Sequence, residues 1–335
     1  MRGLRRMPIG KATAVALPNI ALIKYWGNRD QALRIPANSS LSMNMAGLTT
    51  TTTVAFDDAL KSDVVVLGGV ERSGPARDRV AKMLDRVRAL AGLAARARVE
   101  SRSNFPAGAG LASSASGFAA LAVASSAAAG LHLDEAALSR LARTGSGSAC
   151  RSVPGGYVEW QAGTDDASSF AFSIAPPEHW DLRDVIALVD VTHKSVGSTQ
   201  GHALADTSPL HAGRVASIPG RLARVRAAVL ERDFAALAPV VEDDALAMHA
   251  VMMTSHPPLI YWQPATIAII HAVRAWRAEG VSVCFTIDAG ANVHCLCEAS
   301  ASDEVTRRLR SIAGVQDVRI VSPGGPARLI DDHLF

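Results

Sequence analysis

The sequence predicts an α+β fold in two domains, and three observations lead there. The chain has 335 residues, and at roughly 100–200 residues per domain that length makes two domains or one large one. Segments rich in β-branched residues mix with segments of helical apolar spacing in no repeating strand–helix order. Apolar residues make up 49% of the chain but aromatics only 5%, so the core must be built largely from alanine-rich helices with small, close-packing faces. The character of the elements changes near residues 180–190, which places the expected domains at 1–185 and 186–335.

Residues 13–17 read as a strand. Residues 48–56 carry a threonine run ending Thr-Val-Ala-Phe and read as a second strand, and 62–67 as a third that enters the Gly68-Gly69 turn. Across 78–91, Val80, Met83, Leu84, Val87 and Leu90 fall on one helical face. A short strand over 97–103 leads into Asn104-Phe105-Pro106. After a glycine-rich loop, 114–129 is almost wholly small or apolar, the mark of a buried helix. Asp134 is a good N-cap for the next helix, with Leu138 and Leu141 on its buried face. Residues 185–191 read as an apolar strand and 193–208 as a long polar loop. Beyond it, 214–230 and 234–253 read as helices broken at Pro219, Pro239 and the His256-Pro257-Pro258 turn. Residues 264–279 form a helix with Pro264 in its first turn. Strands over 281–287 and 293–298 flank a turn at 288–292, and a helix over 302–313 precedes a last strand over 315–321.

Composition narrows the function. A formal net charge of +3 with no Lys/Arg run argues against nucleic acid and suits a small anionic substrate. No stretch approaches the 18 apolar residues of a membrane span. Arg2, Arg5, Arg6 and Lys11 precede an apolar stretch over 12–23, which imitates a signal peptide, but Pro18 and Asn19 interrupt it and Lys24 closes it. Cys150, Cys284, Cys295 and Cys297 read as reduced thiols of a cytoplasmic protein. Alternation on a strand puts Cys295 and Cys297 on one face as small buried hydrophobes. His249, His256, His271 and His294 lack ligand spacing, so no protein-only metal site is expected.

The segment richest in chemistry is Pro-Ala-Gly-Ala-Gly-Leu-Ala-Ser-Ser-Ala at 106–115. It joins a strand to a buried helix. Glycines let backbone approach an anion closely, and a helix start offers N–H groups and the positive end of its dipole. Ser113 and Ser114 add hydroxyls for phosphate oxygens or a magnesium ion. No lysine follows the second glycine, so this is not a Walker loop.

The order Pro-x3-Gly-Leu-x-Ser-Ser-Ala resembles the phosphate loop of the superfamily of galactokinase, homoserine kinase, mevalonate kinase and phosphomevalonate kinase. Three further segments resemble its diphosphomevalonate decarboxylase branch: Asn-Ile-Ala-Leu-Ile-Lys-Tyr-Trp-Gly at 19–27, Ser-Gly-Ser-Ala-Cys-Arg-Ser at 146–152 followed by Gly155-Gly156-Tyr157, and Thr-Ile-Asp-Ala-Gly-Ala-Asn at 286–292. The resemblance thus runs through most of the chain. It implies an N-terminal domain like ribosomal protein S5 domain 2, a ferredoxin-like C-terminal domain, a homodimer, and ATP with magnesium as cofactors. Phosphates would be held by Gly108, Gly110, Leu111, Ala112, Ser113 and Ser114, with magnesium at Ser113.

The expected reaction makes chemical sense of the residues. A 3-hydroxy acid loses carbon dioxide slowly because hydroxide leaves poorly. A phosphoryl group moved from ATP onto that hydroxyl makes a good leaving group, and departure of phosphate and carbon dioxide leaves an alkene. Such a site needs a carboxylate near the hydroxyl, a cation at the substrate carboxylate, and donors for phosphates. Asp288, in the turn at 286–292, is the candidate carboxylate: it orients or deprotonates the C3 hydroxyl, or stabilises positive charge developing at C3. Arg151 is the candidate cation, since guanidinium meets a carboxylate in a two-point fork. Lys24 stands to lower the pKa of Asp288. Tyr25 and Trp26 would line the pocket. Ser146 and Ser148, alternating along one segment, would donate to the 5-phosphate, with Ser198 and Thr199 closing over the same end.

The sequence departs from the branch at Asn28, where relatives carry a lysine for the outer phosphate. Asparagine supplies no charge, which moves the expectation slightly toward 5-phosphomevalonate and away from the 5-diphosphate, unless Arg29 swings in. His202 and Pro154 also depart, standing where relatives more often have Met and Phe. Two rival readings remain: a kinase that phosphorylates the C3 hydroxyl and stops, and a non-catalytic sensor of the same fold. Residues 38–42 and the surroundings of Asn104 are the candidates for adenine contacts.

Overall fold

The computed structural model describes residues 10–105, 112–190 and 197–335. The first half of the chain runs β1 (Lys11–Ala16), β2 (Asn19–Ile23), β3 (Asn28–Asp30), β4 (Ile35–Pro36), β5 (Ser40–Asn44), β6 (Thr50–Asp57), β7 (Val64–Leu67), β8 (Val70–Glu71), α1 (Gly74–Ala91), β9 (Arg96–Ser103), α2 (Ser113–Ala128), α3 (Glu135–Gly145), β10 (Tyr157–Trp160) and β11 (Ala171–Ala175). The second half runs β12 (Leu182–Leu188), α4 (Ser198–Leu204), α5 (His211–Glu231), α6 (Phe234–Met253), α7 (Pro264–Ala278), β13 (Val283–Thr286), β14 (Val293–Glu298), α8 (Ser302–Arg310), β15 (Asp317–Val321) and β16 (Arg328–Ile330).

Three larger sheets and a two-stranded ribbon, β3-β4, organise these elements. The largest has the order β16-β1-β6-β9-β7-β8, the second β11-β10-β5-β2, and the third β13-β14-β12-β15. The last strand returns to the first sheet, pairing Thr13 with Ile330. In the first half, α1, α2 and α3 cover the large sheet around Val54, Val99, Leu84 and Ala119. The α2 segment is buried on nearly every side, which only small residues allow. In the second half, α7 and α8 cover the third sheet around Ile269, Val283, Phe285 and Val305. A further core joins the halves: Ile20, Leu22 and Met43 pack with Ile186, Leu222, Val225, Leu237 and Val241. That shared core holds the end of β2 beside the end of β13, and the functional site forms there.

The expected helices and strands are present, with differences that have physical causes. Proline does not break the second-half helices: α5 continues through Pro219 and α6 through Pro239. A proline inside a helix costs about 3 kcal/mol. Ile218, Leu222, Val225 and Val229 bury against Leu237, Val240 and Val241 in one core, and each buried aliphatic side chain returns about 1.5–3 kcal/mol. The polar loop expected over 193–208 contains α4 and a 3-10 turn, Ala205–Thr207. Ala205 and Leu204 pack there with Trp26, Met248 and Leu259, a contact the polar composition conceals. β12 begins at Leu182 rather than 185 because Asp184, which breaks the apolar pattern, is buried against His294 at 2.7 Å. The apolar stretch over 12–23 that imitates a signal peptide forms β1 and β2, inside the fold. The four cysteines are free and buried, and among the described residues no helix is long and apolar enough to cross a membrane.

The N-cap of α3 is Asp134, whose carboxylate accepts from the Ala137 N–H at 2.7 Å. Asp134→Ala removes that bond and should cost about 1 kcal/mol, a fall of about 2–4 °C in thermal midpoint for domains of this size. An unchanged melting curve would show that the cap contributes nothing.

Candidate active site

Lys24 leaves β2 with its main chain fixed on both sides. Its N–H donates to Asp244 Oδ2 at 2.6 Å, and its carbonyl accepts from Asn38 Nδ2 and Arg214 Nη2, each at 2.9 Å. Asp244, fully buried on α6, also pairs with Arg214 at 3.4 Å and Arg221 at 3.1 Å. So held, the Lys24 side chain reaches across the joint between the halves and donates through Nζ to Asp288 Oδ1 at 2.6 Å. The ammonium is 1% exposed and the carboxylate 30%. Asp288 follows β13 in the turn to β14. His249 on α6 donates through Nε2 to the Asp288 carbonyl oxygen at 3.2 Å. Asn292 closes the turn: its Oδ1 accepts from the N–H groups of Val189 and Asp190 at 2.7 and 2.9 Å.

These contacts set the charges. Burial pushes the Asp288 carboxyl up, but the Lys24 charge and hydrogen bond, with help from Arg151, hold it below the usual carboxylate range. Burial drives Lys24 below the ordinary lysine value, against the pull of Asp288. Each ion is kept charged by the other. His249 is depressed to about 3 by burial and then by Lys24, so it serves as a neutral donor.

Arg151 lies in a 3-10 turn, Gly147–Ser152, and is 3% exposed. Its Nε donates to Asn19 Oδ1 at 3.2 Å and its Nη1 to Ser40 Oγ at 2.6 Å, and the guanidinium stands 5.9 Å from the Trp160 ring centre. Among the described residues no carboxylate stands within ion-pair distance. Burial lowers its pKa from the ordinary value, with Asp288 among the groups pulling the other way. The 3-10 turn also corrects the expected alternation of Ser146 and Ser148, which needs an extended segment. Ser146 sits at the end of α3, its Oγ 3.2 Å from Ser114 Oγ. Ser148 lines the cavity, and its carbonyl accepts from Asn19 Nδ2 at 3.1 Å.

Tyr25 is buried, and its hydroxyl donates to Asn28 Oδ1. Gly147 makes room for it, since a Cβ there would collide with the phenol. Asn28 then donates through Nδ2 to Gln31 Oε1 at 2.9 Å, and Gln31 lines the cavity where Asn28 does not. Arg29 is drawn away, donating to the carbonyls of Pro36 and Gly163. Trp26 is 2% exposed and belongs to the core, with one edge on the cavity. Ser198 begins α4 and lines the cavity, with Thr199 next in that helix. Asn104 is committed to the main chain of Gly47 and Thr49, and Asn38 to Lys24 and Ser39.

The cavity that joins these groups measures about 1460 Å³. Pockets for one drug-sized ligand run to about 1,000 Å³, so this one accommodates two ligands. At one side it meets the start of α2, at Ser113 and Ser114. Ala112 precedes that helix in the left-handed region, at φ 51°, and as an alanine supplies no side-chain cap itself. A residue with a Cβ costs about 1–2 kcal/mol there, and strain of that kind concentrates at ligand-binding turns. Gly108, Gly110 and Leu111 lie outside the described residues. The structure thus brings Lys24, Arg151, Asp288, Ser113, Ser114, Ser148 and Ser198 to one cavity. It adds Asp244, Arg214 and Asn19, which sequence reasoning missed, and sets Ser40, within the range expected for adenine contacts, against Arg151. The signal for Asp244 is an acid inside an otherwise apolar helix; Asn19 opens one of the motifs itself.

Comparison with known proteins places the chain in a family. A model of the diphosphomevalonate decarboxylase-like N-terminal domain matches residues 16–171, and one of the mevalonate 5-diphosphate decarboxylase C-terminal domain matches 185–322. The chain belongs to the diphosphomevalonate decarboxylase family. Its fold is the GHMP kinase fold, named for the superfamily to which that family belongs. Within the family, a phosphomevalonate decarboxylase from Haloferax volcanii is 38% identical over 96% of this chain and 98% of the relative. A human diphosphomevalonate decarboxylase is 39% identical over 85% of this chain and 76% of the relative. The crystal structure of mevalonate diphosphate decarboxylase from Staphylococcus aureus superposes with a TM-score of 0.91 at 36% identity, covering 96% of this chain and 98% of that one. A structure described as a complex with MVAPP, AMPPCP and magnesium superposes at 0.89 with 37% identity, covering 96% and 99%.

Removing the cation at position 24 tests the pairing. In Lys24→Met, burial acts on Asp288 with only weaker opposition, Arg151 included, so its pKa rises. The acid limb of the residual kcat/KM, followed across about pH 4–8, should move to higher pH than in wild type. A limb that stays in place would mean that Lys24 does not keep Asp288 ionised.

Proposed function

We propose that this protein transfers the γ-phosphoryl group of ATP to the C3 hydroxyl of a 5-phosphorylated mevalonate and then releases phosphate and carbon dioxide, forming an isopentenyl phosphate on the mevalonate route to isoprenoids. The observation that carries the reading is Arg151: a buried guanidinium whose hydrogen-bond partners among the described residues are all neutral, on the wall that also presents Lys24 and Asp288. A buried cation without a counter-ion is expensive. A substrate carboxylate supplies that counter-ion and is fixed for departure as carbon dioxide.

In the first step the C3 oxygen forms a bond to phosphorus, the bond to ADP breaks, and the hydroxyl proton is released. In the second the C3–O bond breaks with its electrons going to phosphate, and the carboxylate C–C electrons form the alkene as carbon dioxide leaves. Asp288 orients the hydroxyl and then faces the positive charge that develops at C3. A carboxylate held below its usual range is a weak base, so this electrostatic role outweighs proton abstraction. Lys24 keeps Asp288 ionised, and Arg151 holds the carboxylate. The start of α2 fits the nucleotide phosphates, with Ser113 and Ser114 as donors. Magnesium bound with ATP neutralises phosphate charge, and Ser113 is the residue assigned to it. Tyr25, Ser146, Ser148, Ser198 and Thr199 are assigned to the phosphorylated end of the substrate, with Trp26 packing behind them.

We read the chain as two domains, 1–185 like ribosomal protein S5 domain 2 and 186–335 ferredoxin-like, with β12 straddling that boundary and β16 returning to the first sheet. The sheet β13-β14-β12-β15 with α7 and α8 supports the second. A homodimer rests on the family resemblance, and a cytoplasmic location on the four free, buried cysteines. Between the two substrates we favour the 5-phosphate, because Asn28 carries no charge and Arg29 is engaged elsewhere. The test is release of carbon dioxide and ADP from mevalonate, its 5-phosphate and its 5-diphosphate, side by side. Wild type should prefer the 5-phosphate in kcat/KM, and Asn28→Lys should improve use of the 5-diphosphate by roughly tenfold or more, the scale of one charge-assisted hydrogen bond. Strong wild-type preference for the diphosphate would overturn the monophosphate assignment, and ADP release without carbon dioxide would make the protein a kinase.

A further inference from the structure

We infer that His202 is a specificity-determining residue whose Nε2–H donates a hydrogen bond to a phosphoryl oxygen of the substrate. The inference rests on the reading of the cavity as a mevalonate phosphate site. His202 lies on α4, is 9% exposed, and borders the cavity. Its ring is clamped between two aromatic side chains, stacked on Tyr25 at 4.1 Å and 26° and tilted against Trp26 at 4.5 Å. The preceding residue must be glycine for this, because a Cβ at Gly201 would run into the Trp26 indole.

The tautomer follows from one hydrogen bond. The Gly27 N–H donates to His202 Nδ1 at 3.0 Å. A ring nitrogen that accepts carries no proton, so the proton of the neutral ring is on Nε2. That N–H has no acceptor among the described residues. The charged groups acting on the ring are Arg34, Arg151 and Arg214, with no carboxylate among them; burial first and these cations second hold His202 down to about 3. The ring therefore stays neutral at any working pH and offers one donor in a region of positive potential, where an anionic acceptor is favoured. The substrate carboxylate belongs to Arg151. The phosphoryl end is left for His202, which shares α4 with Ser198 and stacks on the tyrosine that leads through Asn28 to Gln31. A methionine at this position would have no donor to give.

Two substitutions separate donation from support. His202→Asn keeps an acceptor near Nδ1 for the Gly27 N–H but loses the donor at Nε2. His202→Gln puts an amide N–H near Nε2 and loses the acceptor. Both lose the ring stacking, so stacking cancels in the comparison. The expected result is a KM for mevalonate 5-phosphate raised roughly tenfold to a hundredfold in His202→Asn and within about threefold of wild type in His202→Gln, with KM for ATP unchanged in both. The reverse order, or an equal rise in both, would overturn the inference and leave His202 as a support for Gly27. Should either variant fail to fold, His202→Met takes its place, expected to raise KM like His202→Asn while leaving kcat unchanged; a fall in kcat at constant KM would refute the assignment. If wild type turned over neither phosphate, the functional reading itself would fail. Calorimetric binding of inorganic pyrophosphate to the same proteins then reads the donor directly, with wild type and His202→Gln binding more tightly than His202→Asn, and equal affinities contradicting it.

Discussion

The 2.6 Å contact between Lys24 and Asp288 is the interaction on which the rest of the site depends. It crosses the joint between the halves of the chain, from the end of β2 to the turn after β13. An ammonium taken out of water costs several kcal/mol, and removing one member of a buried pair leaves the other uncompensated, at about 3–5 kcal/mol. The fold therefore has to hold both ends in place. It does so with buried polar groups on α5 and α6: Arg214 and Asp244 grip the Lys24 main chain, and His249 grips the Asp288 carbonyl. The same two helices fill the core that joins the halves. Packing and electrostatics thus converge on one geometry, in which a change to either would be felt at the reacting carbon.

Charge is arranged unevenly around the cavity. Lys24 has a carboxylate partner and Arg151 has none among the described residues, while the neutral groups nearby, His202, Ser40, Asn19 and Ser148, are donors or are engaged with one another. Such a wall suits ligands that bring their own negative charge. Both substrates of the proposed reaction are of this kind, and the cavity volume leaves room for them together.

The motifs made much of the site legible beforehand. Local patterns that carry a backbone requirement, such as the helix start at Ser113 and the Asp134 cap, were readable because each depends on a few adjacent residues. Lys24, Arg151 and Asp288 were readable because their types and neighbours match a known chemistry. What stayed hidden depended on contacts between distant segments. Asp244 looks like an ordinary helix residue until Lys24 and two arginines are seen around it. The helix α4 reads as loop because its apolar residues find their partners on distant segments, Trp26, α6 and Leu259. Pro219 and Pro239 were read as breaks because the burial that offsets them is long-range. The spacing of Ser146 and Ser148 was read as extended because nothing local marks the 3-10 turn that carries Arg151.

The central claim is that an ionised Asp288, kept so by Lys24, acts at the reacting carbon and not on ATP. Its most direct test is Asp288→Asn, a change of charge with little change of shape, followed by turnover and by ATP affinity in the same preparation. The account expects kcat to fall by at least about 10²–10⁴-fold while ATP binds as in wild type. Turnover close to wild type, or an equal loss of ATP binding, would contradict it.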